Sequence, residues 1–305
     1  MSLSNPPQTV SPVKLVHSMI GHSTMGVTRK CLPTLVRYSR DPVQIIIHDD
    51  GSLTPDDCVQ LRDILPIHSI ILREQSNADA TAFLRNHPKC LSFRQTTVFG
   101  MKLFDPSFYE PSNTIAYCDS DIFFMRPFTG LFTMPSPDIR AVFMKDVWDG
   151  YALSPQRVKP LGKLDMPRCS NAGLMLVAKH CVDLDRIEAL LSDATLVHDF
   201  AQTPLWSEQT TYAILAGSTQ SLNFDEQQIV MAQDGLEALV SEECVGIHFV
   251  STYRNLLDSY IEKDAARREL PPVAIRHDKT VPASGVRMFA EKAQRAIARR
   301  FASRK

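Results

Sequence analysis

Asp119 and Asp121 stand one residue apart, between the apolar runs Thr114–Cys118 and Ile122–Met125. Carboxylates in such a setting are costly unless something pairs with them. A divalent cation is the natural partner, because hard cations take oxygen ligands, often carboxylates together with substrate phosphates. The plain alternative is a turn carrying two solvated acids, and the pair alone leaves both readings open. A third ligand is on offer in Val-Gly-Ile-His248-Phe-Val, where an apolar run delivers an imidazole. A lone histidine at a strand end is more often structural, but beside an Asp-x-Asp loop it becomes a candidate for the same cation. Asp49-Asp50 closes another β-branched run in the same manner.

The elements that must position these groups alternate. Residues 13–19, 43–48 and 69–72 have strand character. Residues 25–38 are helical despite Pro33, and 93–104 are helical as well. Thr54 caps a helix that has Pro55 at its first position and acids in its first turn. Further on, 141–145, 173–178, 220–224 and 245–250 are strands, while 184–192 and 208–216 are helices. Such alternation implies an α/β fold with a mostly parallel sheet and helices on both faces. Ligands collect beyond the carboxyl ends of such strands, where Asp50, Asp119, Asp121 and His248 all fall.

Composition narrows the class. The chain has 305 residues, 44% hydrophobic and 22% charged, with a net charge of −1. That suits a globular protein with a sizeable core and gives no global attraction to nucleic acid. Seven scattered cysteines without a C-x-x-C pair suit a reducing compartment and oppose a disulfide framework or zinc ribbon. The polar, proline-rich start lacks a secretory pattern, and no window reaches the ~20 apolar residues of a spanning helix. The expected location is cytoplasmic.

The apolar strand entering Asp119-Ser-Asp121 resembles the DxD signature of GT-A nucleotide-sugar glycosyltransferases. The order of the surrounding pieces is most similar to family-eight enzymes, the group of glycogenin and lipopolysaccharide galactosyltransferases. Phe99-Gly-Met-Lys102-Leu-Phe resembles the helix bearing a basic donor contact. Cys169-Ser-Asn171-Ala-Gly173-Leu-Met-Leu-Val resembles the strand beside the sugar pocket. Trp206-Ser-Glu208-Gln209-Thr-Thr-Tyr resembles the acidic-Gln helix start, and Ile247-His248-Phe249 the late segment completing the metal site. The match runs over residues 13–253. Two departures stand out. Ser251-Thr-Tyr-Arg254 replaces the usual glycine and lysine–proline stretch. His48-Asp-Asp50-Gly-Ser52 is more similar to family-two enzymes, whose strand-end aspartate contacts the nucleobase.

The resemblance implies a GT-A (Rossmann-like) domain over residues 13–260. A flexible N-terminus (1–12) precedes it, and a charged extension (261–305) ends in a basic helix. It implies Mn2+ (or Mg2+) held by Asp119, Asp121 and His248. The nucleotide-sugar donor, a UDP-sugar, would be contacted by Asp50, Lys102, Asp119, Asn171 and Gly173. Glu208 and Gln209 are the catalytic candidates, Arg254 a second phosphate contact, and Asp146 and Asp149 alternative acids beside a glycan or lipid-linked acceptor. The structural alternative for Glu208 is a helix N-terminus favouring its charge. Two competing functions remain: nucleotidyl transfer to a sugar phosphate, for which Ile20-Gly-His-Ser-Thr-Met-Gly26 is a poor glycine-rich loop, and a non-catalytic nucleotide-sugar-binding module. In the tail, Val286, Phe289, Ala293, Ile297 and Phe301 recur at helical spacing among seven basic residues. Such a stripe either lies on the anionic inner face of a membrane or packs on the domain.

Overall fold

A computed structural model describes residues 12–154, 163–263 and 269–302. The expectation for the N-terminus falls almost wholly outside these residues. Fifteen strands are described: β1 (Lys14–Ile20), β2 (Val43–Asp49), β3 (Ile67–Ile71), β4 (Thr114–Cys118), β5 (Ile122–Phe124), β6 (Phe128–Thr129), β7 (Ala141–Lys145), β8 (Lys163–Pro167), β9 (Ser170–Ala178), β10 (Ser221–Phe224), β11 (Ile229–Met231), β12 (Gly246–His248), β13 (Val273–Ala274), β14 (His277–Lys279) and β15 (Pro282–Ser284). The central sheet has the order β14-β10-β7-β9-β4-β1-β2-β3. Its strands β1 to β4 run parallel, as do β7 and β10, while β9 and β14 run against their neighbours. β5 pairs antiparallel with β12 in a smaller sheet, which brings His248 opposite Ile122.

The helices are α1 (Met25–Tyr38), α2 (Pro55–Ile64), α3 (Arg73–Phe83), α4 (Pro88–Thr96), α5 (Val98–Tyr109), α6 (Leu184–Ser192), α7 (Ala194–Gln202), α8 (Ser207–Ala216), α9 (Leu236–Leu239), α10 (Leu257–Lys263) and α11 (Gly285–Ala302). Three apolar clusters form among the described residues: one joins Val16, Ile45, Leu32 and Phe124, a second Tyr117, Met175, Phe104 and Tyr212, and a third Phe123, Val230, Ile247 and Phe249. This is the mostly parallel α/β sheet with helices that the sequence led us to expect.

Helices α7, α9 and α10 were not expected from the sequence, and two other regions also differ from expectation. The run 93–104 is broken at Thr97, whose extended backbone (φ −145°, ψ 155°) ends α4 and whose side chain accepts from the Gly100 amide to cap α5. Gly100 is required there, since a Cβ would sit 2.5 Å from the Phe93 carbonyl oxygen. Helix α3 has no apolar stripe to announce it, because the residues it buries are Ser76 and Ala80. The fully buried Arg94 guanidinium packs there instead, donating to Ser76 Oγ (2.7 Å) and Asp105 Oδ2 (2.8 Å).

The segment after residue 269 returns to the domain. β13 pairs with β6, β14 forms an edge of the central sheet and β15 pairs with β8. Helix α11 then docks through Met288, Glu291 and Lys292. Met288 is buried, Glu291 lies 3.0 Å from Arg168 Nη2, and Lys292 Nζ donates to the carbonyls of Tyr151 (3.3 Å) and Leu153. Val286 and Phe289 are exposed. The docking face is therefore not the stripe of Val286 and Phe289, and the side chains of Ile297 and Phe301 lie outside the described residues.

Candidate active site

Strand β4 ends at Cys118, and the turn that follows presents Asp119 and Asp121. Its geometry is set by backbone: the Asp119 amide donates to the Gly173 carbonyl at 2.6 Å. Gly173 must be a glycine, because a Cβ there would lie 2.5 Å from His248 Cε1 and 2.9 Å from Asp119 Oδ2. β12 brings His248 to the same point, with Nε2 at 3.0 Å from Asp121 Oδ1 and 3.8 Å from Asp119 Oδ2. Ligand atoms of Asp119, Asp121 and His248 all lie within 4.8 Å of one another. Two carboxylates and an imidazole fit a divalent cation such as Mn2+ or Mg2+.

Two cationic side chains border the triad. Lys102, from α5, places Nζ 3.0 Å from Asp119 Oδ1 and 3.5 Å from Glu208 Oε1, above the Tyr117 ring. Arg254 donates to Asp121 Oδ2 from Nε (3.1 Å) and Nη2 (2.7 Å). Burial alone would raise the Asp121 pKa, but His248 and Arg254 outweigh it and hold the carboxyl below its ordinary range. Burial likewise works to lower the His248 and Lys102 pKa values. Asp121 and Asp119 reverse that for the histidine, Asp119 and Glu208 for the lysine, and both groups end raised.

Glu208 and Gln209 open α8, as expected, yet they behave differently. The Gln209 side chain is spent on the wall: Oε1 accepts from the Ala172 amide (3.1 Å) and Nε2 donates to the Gly150 carbonyl (2.7 Å). Glu208 keeps Oε2 without a hydrogen-bond partner among the described residues while only 3% exposed. Burial raises its pKa, with Lys102 opposing. Asn171 donates to Asp146 Oδ2 (3.0 Å) and accepts from the Gly173 amide (2.8 Å). Burial raises the Asp146 pKa, opposed by that Asn171 bond.

A cavity of about 410 Å³ gathers Lys102, Asp119, Asp146, Asn171, Glu208 and His248, together with Gly173, Gln209 and Arg254. A second, of about 220 Å³, shares Lys102, Asp119, His248 and Arg254, and adds Asp121, Met19 and Thr24. Asp119 thus faces both. Asp50 lines neither; it sits against Gly21, where a Cβ would overlap its carboxylate, and accepts from the Ser52 amide and hydroxyl. Asp149 is also elsewhere. It is 1% exposed, accepts from the Cys169 amide at 2.7 Å and lies 3.5 Å from Arg168, so it braces a loop. Met19, Thr24, Met231 and Gln233 line these cavities without having drawn attention in the sequence, because no distinctive chemistry marks them.

No protein-family model matches the chain, and no curated protein matches it in sequence. Solved structures do match. The galactosyltransferase LgtC, in complex with donor and acceptor sugar analogs, is similar with a TM-score of 0.51 at 11% identity, over 85% of this chain and 98% of that one. The glycosyltransferase GlyE of Streptococcus pneumoniae TIGR4 is similar with a TM-score of 0.51 at 13% identity, over 81% of this chain and 59% of that one. The fold of this chain is the GT-A fold of glycosyltransferases.

Proposed function

We propose that the protein is a metal-dependent glycosyltransferase that moves a sugar from a nucleotide-sugar, a UDP-sugar, to an acceptor hydroxyl. The observation that carries this reading is the assembly of Lys102, Asp119, Asn171, Glu208 and His248, from four elements and the turn after β4, around one 410 Å³ cavity. The two cavities meet at Lys102, Asp119, His248 and Arg254, so a donor spanning both would place its diphosphate there, its nucleoside toward Met19 and Thr24 and its sugar toward Asn171 and Glu208. Mn2+ or Mg2+, held by Asp119, Asp121 and His248, would supply positive charge to the departing diphosphate.

The chain's own groups have distinct tasks. Lys102 and Arg254 stabilise negative charge on the diphosphate as the bond from the anomeric carbon to phosphate oxygen breaks. Glu208, with one unspent oxygen, accepts from a donor-sugar hydroxyl. Gln209 and Asn171 fix the wall. The acceptor oxygen bonds to the anomeric carbon, its proton passes to Asp146, and the nucleoside diphosphate leaves with the electron pair. Product analysis tests the class: nucleoside diphosphate released from a panel of nucleotide-sugars with Mn2+ supports transfer, and pyrophosphate from sugar phosphate and nucleotide overturns it.

Among the described residues no helix is long and apolar enough to cross a membrane. The proposal includes a cytoplasmic enzyme that meets the anionic inner membrane face through α11 and its basic residues. The outward Val286, 65% exposed, supports this. In sedimentation with anionic liposomes at low salt, charge reversal at Arg287 and Arg295 should release the protein; equal pelleting of variant and parent counts against it.

A further inference from the structure

Beyond the two cavities at Asp119 lies a third, of about 650 Å³, which shares Asp146, Val147, Met231 and Gln233 with the 410 Å³ cavity. We infer that this space binds the second and further sugars of a neutral oligosaccharide acceptor, an inference that rests on the glycosyltransferase reading. Continuity is the first argument. Asp146 is the acid common to both spaces, so an acceptor whose reacting hydroxyl meets Asp146 has the rest of its chain directed into the larger one.

Size is the second argument. Ligand sites run from about 300 to 1,000 Å³, and this cavity exceeds the one that must hold the transferred sugar. A single acceptor ring leaves most of it to water.

Charge is the third. The lining includes Lys145 and Arg168, but each is already neutralised: Lys145 by Glu226, and Arg168 by Glu291 (3.0 Å) and Asp149 (3.5 Å). A phosphorylated or otherwise anionic chain would have to break those pairs. A neutral glycan need not. Its hydroxyls can bond the carboxamides of Gln227 and Gln233 and the outer oxygens of the ion pairs. Its apolar ring faces can cover Val147 (40% exposed) and Leu239 (41% exposed).

Neutral saccharides built on glucose, galactose and N-acetylglucosamine, each as mono-, di- and trisaccharide, are titrated against the full chain with UDP and Mn2+, with binding read by saturation-transfer NMR. In at least one series the trisaccharide should bind tenfold or more tightly than its monosaccharide. Ala238→Trp fills the cavity from an exposed position on α9. It should bring the trisaccharide to within twofold of the monosaccharide while leaving acceptor-free UDP-sugar hydrolysis unchanged. Gln227→Ala, which removes a bonding group without adding bulk, should cost three- to tenfold in trisaccharide affinity alone. Absence of any gain with length, or a gain that survives both variants, overturns the inference. Length-dependent binding with no UDP released from any UDP-sugar in the presence of those saccharides overturns the transferase reading and leaves the glycan site standing.

Discussion

Asp121 and Glu208 are equally hidden, at 4% and 3% exposure, on either side of Asp119, yet their acidities move in opposite directions. Asp121 has an imidazole nitrogen at 3.0 Å and a guanidinium nitrogen at 2.7 Å. Glu208 has one ammonium at 3.5 Å, and that ammonium sits closer to Asp119. Desolvation is common to both; dedicated cations are not. The difference separates a carboxylate that two cations hold charged from one whose charge burial opposes and a single shared ammonium supports.

The sharpest way to break this contrast is Asp121→Asn, which keeps shape and removes charge. It should lower kcat by about 1,000-fold, ~4 kcal/mol of barrier, with the circular dichroism spectrum retained. Activity above a tenth of the parent's would remove Asp121 from the metal site. Asp146→Asn should cost about 100-fold in transfer, within the range of a lost general base. In the proposed role it meets the acceptor, so acceptor-free UDP-sugar hydrolysis should fall far less, and an equal loss in both assays would return Asp146 to the donor. His248→Ala should raise the Mn2+ concentration for half-maximal activity about tenfold. Unfolding with an unchanged metal requirement would make the histidine structural.

The smallest effect tests the contrast directly through stability in EDTA. Asp121 has a folded pKa below its unfolded value, so its contribution is present above about pH 3.9 and is lost as pH falls through the folded pKa. Glu208 has a folded pKa above its unfolded value. Its carboxyl therefore weakens the fold as pH rises from about 4.3 through the folded pKa, and the deficit is constant beyond that. Glu208→Gln should gain about 2 °C in Tm relative to the parent between pH 4 and pH 7. Asp121→Asn should fall behind the parent as pH rises from 2 to 5. Parallel curves for the two variants would show that the carboxylates do not differ.

Much of this was legible in the chain itself. Residues 25–38, 141–145 and 184–192 form the expected elements with the expected ends, because apolar patterning marks them and Asp183 caps the last. Helix α3 was illegible for a physical reason: its packing face is polar and serves the buried Arg94, a partner 21 residues beyond its first residue. In the site, Lys102, Asp119, Asn171, Glu208 and His248 come to one cavity, while Asp50 stays outside it. Asp146 and Asp149 could not be told apart by type, since only the fold turns one toward a cavity and the other onto Cys169 and Arg168. Met231 and Gln233 reach the site through the pairing of β11 with β12, which no local pattern announces.

The clasp of Glu291 and Lys292 on Arg168, Tyr151 and Leu153 has a consequence for the order in which the molecule is made. Synthesis delivers β4 and its two aspartates early, His248 much later, and the clasp later still. A nascent chain that has emerged only as far as residue 285 carries Asp119, Asp121 and His248, but the segment from Tyr151 to Leu153 and Arg168 has yet to receive its brace. The cavity wall around Asp146 is thus completed after the Asp119–His248 cluster in each round of translation.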